Sequence, residues 1–374
     1  MNRKARIWPK TQQPQSRHYN HHYNRHCHHS LHLSIFLAVA LNFLIGFQAH
    51  ACTRILYETG TNNYIVGRTM DWYDDTKTDL WAFPRSLKRD GGCGSNSITW
   101  TSKFGSLVAD IYNTGTVDGI NDAGLIVNVL YLSESDYGDA KASGRPLLSI
   151  GAWGQYILDN YATVAEAVNS LKKEPFSIVA PPLPGGKAAS GHVAIADTSG
   201  DSAIFEYIEG KLVTHHNRAY VVMTNSPPFN EQLAIDSYWK SVGGMKFLPG
   251  THRASDRFAR ISWNLDATPK VDSPERAIAT VFSLIRHISV PLGIVDPEKP
   301  NLSSTLWRTV ADTKARRYYF ESVLTPAVFW VDLEKLNLKE GAKPTKLDLS
   351  SNPILSGEVS SKFTPTEPFP FLSE

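Results

Sequence analysis

Residues 52–72 have the sequence CTRILYETGTNNYIVGRTMDW, and this stretch predicts how the fold begins. Two runs rich in β-branched and aromatic residues, 53–57 and 64–70, flank a cluster at 58–63 that contains Gly and Asn. Such a pattern is typical of a β-hairpin. Antiparallel pairing would return the end of the second strand to the first residue of the segment. We therefore expect an antiparallel sheet to start here.

The part of the chain that precedes this segment has a different composition. Residues 1–51 contain six basic residues, no acidic residue and eight of the thirteen histidines. An apolar run at 33–47, short for a membrane span, is followed by Ala49-His50-Ala51. This order predicts a secretory signal peptide that is cut after Ala51. We predict a removed signal peptide with a basic, His-rich leader at 1–51, and a single domain at 52–374 whose Pro-rich tail spans 353–374.

Charge and cysteine content exclude several classes of protein. Without residues 1–51 the formal charge changes from +2 to −4, since 32 basic residues then stand against 36 acidic ones. This balance does not favour a nucleic-acid partner. Three cysteines without a Cys-x-x-Cys pair supply neither a disulfide framework nor a four-cysteine zinc site. The histidines at 18–32 could form a metal-binding tract, but they lack paired zinc-ligand spacing, so we assign them to the leader and predict no metal or cofactor.

Cleavage after Ala51 would make Cys52 the first residue of the mature chain. A thiol has a pKa near 8.5 and an α-amine a pKa of about 7.7 to 8.0, so one residue would hold both nucleophile and base. The alternative is a lipid anchor on Cys52, which would make the protein a surface binding module. The tripeptide Ala-His-Ala fits a lipoprotein signal poorly, and we therefore predict no stable membrane anchor and a periplasmic or extracellular protein.

The hairpin would bring two charged residues to Cys52. Arg68 would favour the thiolate, and Asp71 could orient the amine by a charge-assisted hydrogen bond. Alternatively, the two residues form an ordinary surface ion pair. Rival catalytic motifs are absent from the sequence: there is no His-Glu-x-x-His, Gly-x-Ser-x-Gly, Walker or Gly-x-Gly-x-x-Gly pattern. Cys93, in a Gly-rich turn, is predicted to be a loop thiol that does not pair with Cys52.

Several ordered motifs resemble the choloylglycine hydrolase family, which comprises penicillin V acylases and bile salt hydrolases. The matching segments extend through nearly all of the predicted mature chain. They are Cys52-Thr53-Arg54, Arg68-Thr69-Met70-Asp71-Trp72, Asp118-Gly119-Ile120-Asn121, Gly124-Leu125, Met223-Thr224-Asn225-Ser226-Pro227, Leu248-Pro249-Gly250, Asp256-Arg257-Phe258, 305–310 and 318–321. The resemblance implies an N-terminal nucleophile amidase with an α+β, four-layer αββα sandwich of antiparallel sheets. It also implies a homotetramer.

The resemblance also implies site residues. Cys52 matches the nucleophile, Arg68 and Asp71 match the residues that flank its sulfur and amine, and Asn225 matches a contributor to the oxyanion hole. Arg257 matches a supporting arginine. From the sequence alone, Asn225 could equally be a turn residue, and Arg257 an exposed helix charge.

Two aromatic residues indicate the substrate class. Tyr131 stands where bile salt hydrolases tend to have Asn, and with Trp72 it would form an apolar wall for a phenoxyacetyl or acyl-chain group. The stretch between Asn225 and Arg257 is also short for a bile salt hydrolase. Both features resemble the Gram-negative penicillin V acylase branch, whose members can also cleave N-acyl homoserine lactones. The predicted partner is a small-molecule amide; conjugated bile salts remain an alternative substrate, and core packing an alternative role for both rings.

The remaining pattern predicts alternating groups of strands and helices. Residues 52–132 have the pattern of strands and turns, and a Pro- and Gly-rich segment at 175–190 has that of a surface excursion or lid. The tail at 353–374 is expected to wrap the surface or to be partly disordered. Helices are predicted at 147–160, 164–172, 231–240, 256–264 and 274–287, and later strands at 192–197, 203–208, 220–224, 306–311, 316–321 and 328–333.

Overall fold

The predicted hairpin is present in the structure, a computed structural model that describes residues 52–294 and 303–373. Strands Thr53–Glu58 and Tyr64–Trp72 pair antiparallel, with Thr53 opposite Thr69. The turn between them includes Asn62 in the left-handed region, at φ 55°. Asn tolerates this conformation better than most residues do, which explains the composition of the cluster at 58–63.

The helices and strands of the described residues are numbered here in chain order. The α-helices are α1 Ile150–Asn160, α2 Val164–Leu171, α3 Phe229–Ser241, α4 Ala254–Ala267 and α5 Pro274–His287. The strands are β1 Thr53–Glu58, β2 Tyr64–Trp72, β3 Leu80–Phe83, β4 Lys88–Asp90, β5 Thr99–Thr101, β6 Ser106–Ile111, β7 Gly115–Asn121, β8 Ile126–Leu130, β9 Leu147–Ser149, β10 Ser177–Val179, β11 His192–Ala196, β12 Ser202–Ile208, β13 Lys211–His216, β14 Val222–Met223, β15 Ser304–Asp312, β16 Arg317–Ser322, β17 Phe329–Asp332, β18 Thr345–Leu347, β19 Gly357–Glu358 and β20 Thr364–Pro365.

Two large sheets and two helical layers form the predicted α+β sandwich. A seven-stranded sheet has the order β14-β1-β2-β15-β16-β17-β19, and a nine-stranded sheet has the order β13-β12-β11-β8-β7-β6-β3-β18-β20. Among the described strands of these two sheets, only β17 and β19 pair in parallel. Helix α1 packs on β7 and β8 and α2 on β12, whereas α4 packs on β1 and β14 and α5 on β2 and β15. The αββα layering is therefore confirmed.

The nine-stranded sheet is covered on both faces, and its sequence reflects this. Along β6, Leu107 and Ala109 pack in the cluster shared with the seven-stranded sheet, and Val108 packs in the cluster beneath the α1 layer. In β11, Ala194 packs in the cluster shared with the seven-stranded sheet, and Ile195 packs in the cluster beneath the α1 layer. Successive side chains of a strand point to opposite faces, so a sheet buried on both faces is apolar at nearly every position.

Helix α5 lies directly on the strand that carries Arg68. It begins after the N-cap Ser273 with Pro274 at its first position, which is the preferred start for a helix. A Cβ at Gly67 would lie 2.6 Å from Val281 Cγ1 of this helix. Glycine is therefore needed at position 67 for the helix to approach β2 so closely.

Some predicted boundaries are wrong. Residues 147–149 form strand β9, paired parallel with β10, because Ser149 already caps α1 through the Gly151 amide. The strand predicted at 220–224 shortens to Val222–Met223. The segment at 175–190 is more than a surface excursion, since it contributes β10 and buries Phe176 and Ile178.

The C-terminal tail wraps the surface and is ordered over its described length. Its short strands β19 and β20 pair with β17 and β18. Near its end, Phe369, Phe371 and Leu372 are buried. The predicted signal peptide at 1–51 lies outside the described residues. No helix in the described part of the chain has the length and apolar character needed to cross a membrane.

Candidate active site

Cys52 lies at the start of β1 and is almost fully buried. Its Sγ lies 3.5 Å from the Asp71 amide nitrogen, 3.6 Å from the Asp71 carbonyl oxygen and 4.0 Å from Met70 Sδ. The β1–β2 pairing places the end of β2 beside this sulfur, as the hairpin predicts. Cys52 is a free thiol, so no disulfide joins it to Cys93.

The Cys52 nitrogen has a different partner from the one expected. It donates a hydrogen bond of 2.6 Å to Asn225 Oδ1 rather than to the Asp71 carboxylate. The chain described here still carries residues 1–51, so this atom is an amide nitrogen that stands in the place of the mature α-amine. Asn225 Nδ2 donates to the Tyr131 carbonyl oxygen at 2.7 Å. Both ends of the Asn225 amide group are therefore fixed against the protein.

The Asp71 carboxylate is held by hydroxyl groups and one arginine. Thr69 donates to its Oδ2 at 3.1 Å and Thr305 to its Oδ1 at 2.5 Å. The Arg257 guanidinium lies 3.9 Å away. Burial raises the pKa of Asp71 to about 6, and Arg257 and the two hydroxyls oppose that rise.

Arg257, on α4, connects the elements of the site. Its guanidinium donates to the Cys52 carbonyl oxygen at 2.7 Å and to Asn225 Oδ1 at 3.0 Å, and it also donates to the Thr53 hydroxyl. Because it is fully buried, the alternative of an exposed helix charge is wrong. Burial lowers the pKa of Arg257 to about 10, which leaves it charged at neutral pH. It thus fixes the backbone of the first residue and the Asn225 side chain together.

Arg68 contacts Met70, whose sulfur lies 4.0 Å from Cys52 Sγ. Its Nη2 donates to Met70 Sδ at 3.4 Å and to the Val129 carbonyl oxygen at 3.1 Å, and its Nη1 lies 3.5 Å from Asp118 Oδ2. It is fully buried, so it is not part of a surface ion pair. Burial raises the pKa of the Cys52 thiol, while the charges of Arg68 and Arg257 act in the opposite direction.

Asn225 follows β14, and a buried polar network holds the residue before it. The Thr224 carbonyl oxygen accepts a 2.7 Å hydrogen bond from His192 Nε2, and the other ring nitrogen of His192 is 2.8 Å from Glu206 Oε1. Glu206 also accepts from the Phe229 amide at the start of α3. The segment that carries Asn225 is thus anchored to β11, β12 and α3, and Asn225 is more than a turn residue.

A cavity of about 580 Å³, counting its open mouth, lies against the sulfur. Its lining is mostly apolar and includes both predicted aromatic residues, Trp72 and Tyr131, whose ring centroids are 5.7 Å apart in an edge-to-face arrangement. The Lys187 ammonium lies 4.6 Å from the Trp72 ring and 5.0 Å from the Tyr131 ring. Besides Trp72 and Tyr131, the residues that line the cavity are Cys52, Arg68, Met70, Ile111, Thr114, Gly115, Thr116, Val117, Val129, Leu130, Ile150, Gly151, Leu183, Ala189, Ser190 and Leu372.

Some residues of this site are not predicted from the sequence. Thr69 and Asp118 lie within quoted motifs, but nothing in those motifs assigns them to Asp71 or Arg68. Thr305 reaches Asp71 because β15 pairs with β2 across 234 positions of sequence. Lys187 lies in the segment expected to be a lid. The composition of that segment does not predict the contacts of Lys187 with aromatic rings. Over the described ranges, no group of three or more His, Cys, Asp or Glu side chains could hold a metal ion.

Comparison with known proteins agrees with this geometry. Residues 52–354 match the model of the family described as linear amide C–N hydrolases, choloylglycine hydrolase family. The chain is 47% identical to a penicillin V acylase of Pectobacterium atrosepticum over 345 residues, covering 86% of this chain and 92% of that protein. It is 23% identical to a bile salt hydrolase/transferase of Clostridium perfringens over 314 residues, covering 77% of this chain and 94% of that protein.

Solved structures show the same relation. The penicillin V acylase of Agrobacterium tumefaciens superposes with a TM-score of 0.81 at 52% identity, covering 86% of this chain and all of that one. A mutant form of the conjugated bile acid hydrolase of Clostridium perfringens superposes with a TM-score of 0.68 at 21% identity, covering 79% of this chain and 96% of that one. The second likeness concerns the fold alone.

Proposed function

The chain belongs to the choloylglycine hydrolase family of linear amide C–N hydrolases, and from this premise we propose that it hydrolyses penicillin V, with Cys52 as the nucleophile. The observation that carries the proposal is the position of the Cys52 sulfur. It faces a mostly apolar cavity whose lining includes Trp72, Tyr131 and the buried Arg68, and Arg257 is buried beside the Cys52 carbonyl group. A phenoxyacetyl group is aromatic and uncharged, which suits such a cavity.

The proposed reaction begins once Cys52 has a free α-amine. The amine takes the thiol proton, and the sulfur attacks the carbonyl carbon of the side-chain amide. Asn225 Nδ2 donates one hydrogen to the Tyr131 carbonyl oxygen. Its second hydrogen, together with a backbone N–H, would stabilise the developing oxyanion. Collapse of this intermediate breaks the C–N bond. The amine part of the substrate takes the proton from the Cys52 α-amine and leaves. Water then hydrolyses the thioester and regenerates the thiol.

The fixed contacts of Cys52 support this scheme. Arg257 holds the Cys52 carbonyl oxygen, and Asn225 Oδ1 accepts from the Cys52 nitrogen, so that nitrogen and the sulfur keep a set relation. Such positioning lowers the entropic part of the barrier. The positive charges of Arg68 and Arg257 oppose the rise in the pKa of the Cys52 thiol that burial and the Asp71 charge cause.

A second candidate substrate is an N-acyl homoserine lactone, which would give the protein a quorum-quenching role. The aliphatic lining residues Ile111, Leu183 and Leu372 favour this candidate because a fatty acyl chain gains free energy by burying methylene groups. Conjugated bile salts are disfavoured, since Tyr131 and Trp72 narrow the cavity with rings. One hydrolysis panel of penicillin V, acyl homoserine lactones and glycocholate ranks the three substrate classes.

Substitution of the nucleophile tests the mechanism. Cys52→Ala, with correct processing verified by N-terminal mass, should release no phenoxyacetate above background, and Cys52→Ser should be mostly inactive. Cys93→Ala is the matched control, because it removes the other predicted mature cysteine and should leave kcat unchanged. Phenoxyacetate release by Cys52→Ala at the wild-type rate would overturn the mechanism.

We also propose that residues 1–51 act as a signal peptide and that the mature protein works in the periplasm or outside the cell. The burial of Cys52 supports a cut after Ala51 over a lipid anchor, since acyl chains on its sulfur and nitrogen would have to displace Asp71 and Asn225. Mass measurement of the exported protein decides: a free Cys52 N-terminus supports the enzyme, and an added diacylglycerol mass contradicts it.

We propose that the protein assembles as a homotetramer, because the family resemblance implies one. The exposed apolar side chains Tyr238, Val242 and Phe247 lie close together in the sequence at the end of α3 and support burial between subunits. Sedimentation analysis of the processed protein checks this directly, and a monomer at micromolar concentration contradicts it.

A further inference from the structure

The last described residues of the chain return to the active site. Phe369 packs edge-on against Trp81, with ring centroids 5.1 Å apart, and Phe371 stacks on Trp100 at 6.2 Å. Both phenylalanines are less than one-tenth exposed. The tail is thus anchored by two aromatic side chains that lie three positions and one position before Leu372.

The backbone of Leu372 is fixed on both sides. Its amide donates to the Thr114 carbonyl oxygen at 2.7 Å, and its carbonyl oxygen accepts from the Ser149 hydroxyl at 2.5 Å. Thr114 itself lines the active-site cavity, and Ser149 caps the helix whose first two residues, Ile150 and Gly151, line it as well. The elements that hold Leu372 are therefore those that build the cavity.

The seat of Leu372 depends on two small residues. A Cβ at Gly151 would lie 3.2 Å from Leu372 Cβ and 2.5 Å from the Thr114 carbonyl oxygen. At Gly92, whose φ is 79°, a Cβ would lie 3.3 Å from the Leu372 carbonyl oxygen. The groove admits the tail because both positions are glycine.

We propose that Leu372 is a specificity-determining residue, whose side chain forms part of the cavity wall and limits the length of the acyl group that the enzyme accepts. This inference rests on the proposed function, in which the cavity receives the acyl part of the amide. Leu372 lines the same cavity as Cys52, with only 7% of its surface exposed. A shorter side chain at this position lengthens the cavity, and a larger one fills it.

A series of N-acyl amides with one leaving group and butanoyl, octanoyl, dodecanoyl or phenoxyacetyl acyl groups tests the proposal. In Leu372→Ala the ratio of kcat/KM for dodecanoyl to that for butanoyl should rise about tenfold, which is the lower end of the discrimination that one methylene supplies in an apolar pocket. In Leu372→Phe the same ratio should fall by a similar factor. Opposite shifts in the two variants are not expected of a residue that only stabilises the tail.

Leu338→Ala is the matched control. Leu338 is also 7% exposed, and its replacement by Ala removes the same atoms, but Leu338 does not line the cavity. It should leave the ratio unchanged. If Leu372→Ala does not fold, Leu372→Val decides the question with a smaller shift in the same direction.

The outcomes separate the two proposals. An unchanged ratio in the folded Leu372 variants, with active wild-type enzyme, overturns the role of Leu372 alone. Failure of the wild type to cleave any of the acyl amides overturns the proposed function, and the acyl-length role of Leu372 with it.

Discussion

The two sides of the Cys52 sulfur are built in opposite ways. On the protein side, Asp71, Arg257 and Asn225 are at most 1% exposed, and each has several fixed hydrogen-bond partners. On the cavity side, the wall is mostly apolar and comes from segments far apart in the chain. A buried charge that loses its partner is costly, whereas an apolar wall changes by small steps as methylene groups are added or removed. We therefore expect mutations on the protein side to affect folding and kcat, and mutations on the cavity side to affect mainly KM.

The largest expected effect is that of Arg257→Met. It leaves the Asp71 carboxylate and the Asn225 oxygen buried without the guanidinium, so the free energy of unfolding should fall by about 3–5 kcal/mol. We expect kcat to fall by about a hundredfold or more, because the Cys52 backbone is no longer held. Urea unfolding and steady-state kinetics measure both quantities.

Arg260→Met, one turn further along the same helix, is the control for this variant. The Arg260 guanidinium donates to the Pro249 and Thr251 carbonyl oxygens, which lie outside the site. Its replacement should change neither the free energy of unfolding nor kcat by a comparable amount. Similar losses in the two variants would mean that Arg257 acts only as a buried helix charge.

Asn225→Leu separates catalysis from stability on the same side. It removes the acceptor for the Cys52 nitrogen and the amide assigned to the oxyanion, so kcat should fall by about 10²–10³. The control is Asn121→Leu, since Asn121 is equally buried but its amide nitrogen donates to the Leu158 and Tyr161 carbonyl oxygens. That variant should lose stability and keep kcat per folded molecule. Equal losses of kcat in both variants would contradict a special role for Asn225.

The cavity side is tested by Tyr131→Asn. Loss of the ring that packs on Trp72 should raise KM for a phenoxyacetyl amide about tenfold, with a smaller change in kcat. Tyr131→Phe keeps the ring and should stay close to wild type. If Tyr131→Phe is as impaired as Tyr131→Asn, the hydroxyl rather than the apolar wall is important, and the contrast between the two sides weakens.

The smallest expected effect belongs to Lys187, whose ammonium lies near the rings of Trp72 and Tyr131. Burial lowers the pKa of Lys187 from its ordinary value of 10.5 to about 8. At pH values between about 8 and about 10.5, the unfolded chain binds more protons than the folded chain does. The stability that is lost by burying the charge is therefore recovered as the pH rises through this interval. Relative to Lys187→Met, the wild type should gain less than about 1 kcal/mol of unfolding free energy over that interval, since the side chain is only half-buried.

Unfolding of both proteins by urea at several pH values measures this difference. Contacts of the ammonium with the rings of Trp72, Tyr73 and Tyr131 favour the charged form and oppose the effect of burial. A difference that stays constant, or that moves against the wild type with rising pH, would show that these contacts outweigh desolvation.

The same contrast explains what the sequence could predict. The hairpin and the closeness of Asp71 to Cys52 follow from local pairing, because both strands and their turn lie within 21 residues of sequence. Asn225 and Arg257 come to the site from distant elements, and only the family resemblance identified them. The sequence suggests Asp71 as the residue that orients the α-amine of Cys52, since Asp71 is the charged side chain nearest in the hairpin; the Cys52 amide nitrogen of the structure donates to Asn225, 173 positions away.

The cavity wall was the least predictable part. Trp72 continues directly from the hairpin, and Tyr131 was assigned by resemblance. Leu372 lies in a tail whose proline content suggested partial disorder, and its burial depends on aromatic contacts of the tail with Trp81 of β3 and Trp100 of β5. Such contacts span more than 270 positions of sequence and leave no local pattern.

The meeting of Cys52 and Leu372 on one cavity has a consequence for biogenesis. Leu372 lies 320 positions after Cys52 in the sequence, yet both residues line the same cavity. Most of both sheets can form before the tail docks, because the tail contributes β19 and β20, which lie at the edges of the two sheets. The wall of the cavity, however, is complete only when Leu372 has docked. A chain cut before Phe369 would therefore carry its nucleophile in a nearly complete scaffold that lacks one part of the cavity wall.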